Sequence, residues 1–145
     1  PGLISWKHRP TRGTTDYAVE MYFDAIENGK YECFVNEDTR LPMMFMDDAI
    51  RATLELMDAP LNSLNYHSNY NLSSMSFSAK ELADEISSHV DFECTYKPDY
   101  RQDIANTWPI SIDDEAARND WKWEPKFDIT KMTEEMITNL RRLNE

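Results

Sequence analysis

The segment Gly13-Thr14-Thr15 holds the residue types in this chain that could most directly bind a small polar molecule. An apolar pattern begins at Tyr17, recurs every three and four residues and predicts a helix of about 14 residues that Asn28-Gly29 closes. The first turn of a helix has unpaired N–H groups and a partial positive charge, and a glycine allows close approach to them. With two threonine hydroxyls, this turn could hold a carboxylate or a phosphate. The same residues also suit a plain N-cap, which spacing alone favours.

The motifs of a self-sufficient enzyme are absent from the sequence. The only glycines are Gly2, Gly13 and Gly29, so neither a Gly-x-Gly-x-x-Gly dinucleotide loop nor a Walker loop can be present. There is no Tyr-x-x-x-Lys pair, no Gly-x-Ser-x-Gly elbow and no metal-binding spacing of histidines. We therefore expect no metal and no catalytic residue in this chain, and no activity from it alone.

Other isolated residues have a structural interpretation that outweighs a functional one. Cys33 and Cys94 lie far apart without a Cys-x-x-Cys spacing, so we expect two free, buried thiols. Trp108 precedes Pro109 in a predicted loop, where a large ring could close a small pocket, although packing is favoured by pattern alone. Packing, helix-dipole stabilisation or exposure to solvent accounts for the remaining candidates, which are Met43, Met44, Met46, Trp121, Trp123, His8, His67, His89 and the acidic pairs at 47–48 and 113–114.

Composition predicts one soluble folded unit. The chain has 145 residues, 41% of them hydrophobic and 29% charged, which is typical of a globular domain. Its 27 acidic and 15 basic residues give a net charge of −12, which would repel nucleic acid and anionic membranes. No apolar run approaches the length of about 20 residues that spans a bilayer. The first residues, with Leu3-Ile4 resembling the end of a buried strand, suggest the C-terminal part of a longer protein.

Helical and strand-like segments alternate along the chain, which predicts an α/β fold. The strands are few and short, so we expect the outer strands of a larger sheet together with a small cap. Pro42 predicts an edge or bulged strand, Asp47-Asp48 a helix cap, and Ser78 with Glu81 a capping box. The predicted strands are 31–35, 41–46, 69–76 and 91–99, and the predicted helices begin near 17, 47, 79, 100, 114 and 129.

Several segments together carry a resemblance to a known family. They are "PGLISW", "GTTDYAVEMYFDAI", "EDTRLPMMFMDDAIRATLELMDAP", "YNLSSMSFSAKELADEI" and "DYRQDIANTWPISIDDEAARNDWKWEPKFDITKMTEEM". In this order they resemble the C-terminal half of the NAD-dependent L-threonine 3-dehydrogenases of the extended short-chain dehydrogenase/reductase family. The resemblance covers almost the whole chain. It implies a Rossmann-like fold whose dinucleotide-binding half, including Tyr-x-x-x-Lys, lies upstream, so that residues 1–145 form one substrate-binding portion.

The resemblance also implies an activity and a set of binding residues. Relatives oxidise L-threonine to 2-amino-3-oxobutyrate and pass the hydride to NAD. Pro1, Gly2 and Leu3 then lie at the NAD-contacting position, and Gly13, Thr14, Thr15 and Trp108 at the threonine-binding positions. On this basis Gly13-Thr14-Thr15 is both a cap and a threonine site, with backbone N–H groups and the Thr15 hydroxyl holding the substrate. The family further implies a homodimer through the absent half, and a location that is cytoplasmic in bacteria or mitochondrial in eukaryotes.

Two departures from the family pattern leave other functions open. Relatives carry Gly-Gly-Gly before the two threonines, whereas this chain has "RPTRG", so we expect a less flexible loop. Arg40 lies where nucleotide-sugar epimerases place a phosphate-contacting arginine, but Leu41-Pro42-Met43-Met44 replaces the pattern usual there. An epimerase or dehydratase of nucleotide sugars is therefore the second enzyme hypothesis. A non-catalytic binding domain or truncated remnant is the hypothesis from a different class.

Overall fold

The computed structural model describes residues 1–143 of the chain. Five strands and six α-helices alternate, as the sequence predicts for an α/β fold. The strands are β1 (Gly2–Ile4), β2 (Lys30–Cys33), β3 (Arg40–Phe45), β4 (Met75–Ser78) and β5 (Glu93–Tyr96). The helices are α1 (Tyr17–Glu27), α2 (Met46–Asp58), α3 (Ala79–Ser87), α4 (Tyr100–Ala105), α5 (Glu115–Trp121) and α6 (Ile129–Leu143), and a 3-10 turn covers Leu61–Ser63.

The strands form two small sheets. In one, β3 lies between β1, which is parallel to it, and β4, which is antiparallel. In the other, β2 and β5 pair in parallel. The expectation that Pro42 marks an edge or bulged strand was wrong, because β3 is the central strand of its sheet and its register with β4 runs unbroken from Arg40 to Met43. Pairing with β1 starts only at Met43, which faces Gly2, so the proline precedes the part of β3 that pairs on that side.

The core lies between the helices and the two sheets. Met21 and Tyr22 of α1, Leu82 and Ile86 of α3, and Met132 of α6 are fully buried. The Tyr22 hydroxyl is hydrogen-bonded to Thr133 Oγ1 at 2.7 Å, which gives this buried polar group a partner. The central strand β3 is also buried, so the expectation that its methionine-rich sequence belongs to the core is confirmed.

Some predicted element boundaries and caps are confirmed. Gly29 ends α1 with a φ of 67°, which glycine adopts without strain. Ser78 and Glu81 form the predicted capping box of α3, and Asp128 accepts the Lys131 N–H at 2.8 Å at the start of α6. The strand predicted at 69–76 was misplaced, because regular pairing begins only at Met75 and the residues before it form a loop.

The two acidic pairs play a different part from the one predicted. Asp48 is buried within the first turn of α2, and its carboxylate binds groups far along the chain rather than capping the helix. Asp113 accepts the Glu115 N–H at 2.9 Å, whereas Asp114 pairs with Arg118. Helix-dipole stabilisation alone therefore does not account for these carboxylates.

Both cysteines are free thiols, as expected, but only Cys33 is fully buried, whereas Cys94 is partly exposed. Trp123 is buried in a small second cluster with Met44, Ala52 and Ala117, which confirms its role in packing. None of the described helices has both the length and the apolar character to cross a membrane.

Candidate functional site

The segment Gly13–Asp16 forms a tight turn immediately before α1. The Asp16 N–H donates to the Gly13 carbonyl at 3.2 Å, and the Gly13 N–H donates to the Asp16 carboxylate. The N-cap residue of α1 is thus Asp16, and its side chain points back to Gly13 instead of capping the helix. The expectation that Gly13-Thr14-Thr15 is itself the cap was therefore wrong.

This turn leaves the two threonines available for other contacts. The hydroxyl and N–H groups of Thr14 and Thr15 have no recorded hydrogen-bond partner within residues 1–143, and both residues are partly exposed. The Gly13 N–H is already occupied by Asp16. Donors for an incoming ligand would consequently come from Thr14 and Thr15, and the Asp16 carboxylate adds a negative charge beside them.

Gly2 in β1 lies directly against Thr15. A Cβ atom added to Gly2 would lie 2.9 Å from Thr15 Cβ and Cγ2, and 2.6 Å from Met43 Sδ. These separations are too short for any side chain, so only glycine permits this contact. The structure therefore brings together part of the predicted cofactor segment and part of the predicted substrate segment, which are more than ten residues apart in sequence.

The other predicted binding residues are exposed to different degrees. Pro1 is exposed, and 48% of Leu3 is exposed although it belongs to a strand. Trp108 lies in the loop between α4 and α5, and 43% of its surface is exposed. Its backbone N–H donates to the Ala105 carbonyl at 3.1 Å.

The loop before the turn is attached to α1 by an arginine that the sequence analysis did not single out. The Arg9 guanidinium donates to Glu27 at 2.5 Å, lies 3.7 Å from an Asp24 oxygen, and stacks 5.1 Å from the centre of the Phe23 ring. Arg12, in the same loop, has a φ of 80°. The "RPTR" sequence thus replaces flexible glycines with one anchored residue and one residue in a left-handed conformation.

Arg40 makes two polar contacts within its own chain. One guanidinium nitrogen donates to the Ser76 carbonyl at 2.6 Å, and another forms an ion pair with Glu81. A phosphate would therefore have to compete with Glu81 for this guanidinium. Within the described residues, no group of three or more His, Cys, Asp or Glu side chains could hold a metal ion.

Comparisons with known proteins identify relatives of the chain. No protein-family model matches the chain. Bovine mitochondrial L-threonine 3-dehydrogenase is 48% identical over 139 residues, which are 94% of this chain and 37% of that protein. An uncharacterised epimerase/dehydratase of Staphylococcus haemolyticus is 45% identical over 139 residues, or 94% of this chain and 44% of the relative.

Solved structures show the same relationship. A monomeric L-threonine 3-dehydrogenase from a metagenome, in its apo form, is 86% identical and superimposes with a TM-score of 0.97. The match covers 100% of this chain and 47% of that enzyme, so the chain spans less than half the length of the relatives described here. In sequence and in α/β fold, the chain is a homologue of the C-terminal part of the L-threonine 3-dehydrogenases.

Proposed function

We propose that this chain is the substrate-binding C-terminal portion of an NAD-dependent L-threonine 3-dehydrogenase. The reaction is the oxidation of L-threonine at its β-carbon to 2-amino-3-oxobutyrate, with hydride transfer to NAD. The observation that carries the proposal is the contact between Gly2 and Thr15, because hydride transfer requires the substrate-binding and cofactor-binding segments to be neighbours. The names of the bovine and metagenomic relatives supply the identity of the substrate.

Two surface features support the proposal that this chain is one part of a larger protein. Four apolar side chains follow one face of α2 and the turn after it, and their exposed fractions are 50% for Ile50, 55% for Leu54, 75% for Met57 and 71% for Leu61. An exposed apolar patch of this kind is typical of a surface that packs against another domain or another protein. Within the described residues 1–143, strand β1 pairs with β3 alone, so its other edge can accept a further strand. The dinucleotide-binding half of the relatives would cover both.

The roles of the binding residues follow from their surroundings. We assign the hydroxyls and N–H groups of Thr14 and Thr15 to the polar end of L-threonine, because they have no recorded partner in the part of the chain that the structure describes. The adjacent Asp16 carboxylate would attract the substrate's ammonium group. Trp108 has a half-exposed ring that would help to exclude water from the bound substrate.

Residues 1–3 fit the edge of a nicotinamide cofactor. The missing side chain of Gly2 allows close approach, and the exposed Leu3 side chain supplies an apolar contact next to it. When bound, NAD supplies the hydride acceptor. The residues of this chain hold L-threonine in place and shield it from water, whereas the proton is removed from its hydroxyl by the tyrosine that relatives carry upstream.

The alternatives have less support. The Staphylococcus relative is named an epimerase/dehydratase, which keeps a nucleotide-sugar substrate as the second candidate. The contacts of Arg40 with Ser76 and Glu81 count against it, because a diphosphate would have to compete with Glu81 for that arginine.

The homodimer implied by the family stays a prediction. The 86% identical metagenomic enzyme is described as monomeric, and such high identity favours a monomer for the whole protein here. Light scattering on the purified whole protein would decide between the two states.

The activity test uses the whole protein that contains this chain. NADH formation is measured with L-threonine and, separately, with UDP-sugars. We expect turnover of threonine only, and a Thr15→Val variant with a KM for threonine raised by about tenfold, since a buried hydrogen bond to substrate is lost. Thr138→Val, at an exposed threonine of α6, is the matched control and should leave KM unchanged. A wild-type protein without threonine-dependent NADH formation would refute the proposal.

A further inference from the structure

A groove on the surface concentrates positive charge in an otherwise acidic chain. Its volume is about 580 Å³, and it lies between α2, the segment after α5 and the start of α6. Its lining residues are Arg51, Lys122, Glu124, Pro125, Lys126 and Lys131. Four of these six side chains are cationic, and although Arg51 is ion-paired with Asp48 and Glu55, the three lysines add positive charge to a chain with 27 acidic and 15 basic residues. We call this feature the basic groove.

The three lysines of the basic groove are outside ion-pair distance of any carboxylate in residues 1–143, although the Asp120 carboxylate lies near Lys122. Lys122 Nζ donates to the Asn119 carbonyl at 3.2 Å, and Lys131 Nζ donates to the Lys126 carbonyl at 3.4 Å. No ion pair to Lys122, Lys126 or Lys131 is found within residues 1–143. Lys80 on α3, by contrast, pairs with Asp84 at 3.0 Å. Neighbouring ammonium groups repel one another, so an anion placed between them would be favourable.

The frame of the basic groove is held by a buried carboxylate. Asp48 is 1% exposed and accepts the Lys126 and Phe127 N–H groups, each at 3.0 Å from Oδ2. Arg51 donates to Asp48 at 2.8 Å and to the Glu124 carbonyl at 2.6 Å, and it stacks 4.5 Å from the centre of the Trp123 ring. The backbone that carries the lysines is therefore fixed before any ligand binds, which lowers the entropic cost of binding.

The chemistry of the lining limits the class of ligand. No aromatic ring lines the basic groove, so a nucleic acid base would find no stacking surface. The net charge of −12 opposes long polyanions. Ammonium groups on flexible stems are well suited to a compact dianion. We propose that the basic groove binds the phosphate of a small phosphorylated molecule, a site that does not depend on the proposed dehydrogenase activity.

Calorimetric titration of the whole protein with inorganic pyrophosphate, with NAD present at saturation, tests the proposal. We expect millimolar or tighter binding that weakens as NaCl is raised, because the contacts are ionic. The double change Lys126→Gln with Lys131→Gln should weaken binding by about tenfold, as lost charge-assisted contacts would. The double variant alters only exposed side chains, so thermal unfolding should confirm an intact fold.

The matched control is Lys80→Gln, which removes one exposed lysine elsewhere and should leave pyrophosphate affinity unchanged. Equal affinity of wild type and the double variant would overturn the proposal. So would the absence of binding to wild type at millimolar pyrophosphate, which would indicate that other parts of the whole protein cover or neutralise the basic groove. Neither result would affect the threonine-dependent formation of NADH.

Discussion

Arg12 adopts a φ of 80°, in the left-handed region that side chains other than glycine rarely occupy. The conformation costs an ordinary residue about 1 to 2 kcal/mol. The related L-threonine 3-dehydrogenases carry glycine in this loop. The side chain of Arg12 forms no ion pair with another described residue. The chain therefore keeps a strained residue beside the proposed threonine site, where the strain limits the conformations open to the loop.

We predict that Arg12→Gly stabilises the protein by up to about 1 kcal/mol, because the relieved strain exceeds the extra flexibility of glycine in the unfolded chain. Urea unfolding measures the change. Thr11→Gly is the matched control, since Thr11 is not among the positive-φ residues, and it should destabilise by about 0.5 to 1 kcal/mol. Equal destabilisation by both changes would show that Arg12 is not strained.

Single residues of the site were only partly predictable from sequence. Gly13 and Thr15 are recognisable by type and by their place before a helix. Asp16 was missed as the group that closes the turn. Its carboxylate accepts the N–H of Gly13, three residues earlier, whereas the sequence rules for N-caps consider bonds to N–H groups later in the chain. The need for glycine at position 2 was equally invisible, because it arises from Thr15, which reaches Gly2 only in the folded chain.

Among the secondary-structure elements, Asp48 connects helix α2 to the segment that leads into α6. Its carboxylate accepts two N–H groups nearly eighty residues away, at Lys126 and Phe127, and pairs with Arg51. An acidic residue in the first turn of a helix is usually explained by the helix dipole, and this was the prediction made from sequence. Its long-range partners cannot be read from local sequence, since no pattern links positions so far apart.

We predict that Asp48→Ala destabilises the protein by about 3 to 5 kcal/mol, because it leaves Arg51 without its buried partner and two N–H groups unsatisfied. The neighbouring Asp47 has no recorded side-chain partner in the described region, so Asp47→Ala should cost less than about 1 kcal/mol through the helix dipole alone. Chemical unfolding of the two variants gives the comparison. Similar losses from both would mean that Asp48 acts only through the dipole.

For the whole molecule, alternation of helices and strands sufficed to predict an α/β fold. The position of β4 and the central place of β3 were not predictable. Strand order depends on which apolar faces meet, and the loop at 69–74 has a strand-like composition without a pairing partner. The exposure of the apolar side chains on α2 was likewise not predictable, because it depends on where the helix lies in the folded chain.

The core also contains ionisable groups that set a limit on stability at high pH. Burial raises the pKa of the Cys33 thiol to about 12. Burial likewise raises the pKa of the Tyr17 and Tyr22 hydroxyls well above their usual range. All three side chains are fully buried, and each is neutral in the folded protein at physiological pH. The Tyr17 hydroxyl, moreover, has no hydrogen-bond partner in the described structure.

We predict that the free energy of unfolding falls as pH rises from about 9 to 12, because these groups lose their protons in the unfolded chain before they do so in the folded one. Each group contributes at most about 1.4 kcal/mol per pH unit within its own window. Tyr17→Phe removes one group and one unpartnered hydroxyl, so it should raise stability at pH 7 by about 1 kcal/mol and flatten the alkaline decline. Tyr66→Phe, at a tyrosine that is 55% exposed, should change neither quantity. Urea unfolding as a function of pH measures both, and a decline equally steep in wild type and Tyr17→Phe would contradict the role of the buried hydroxyl.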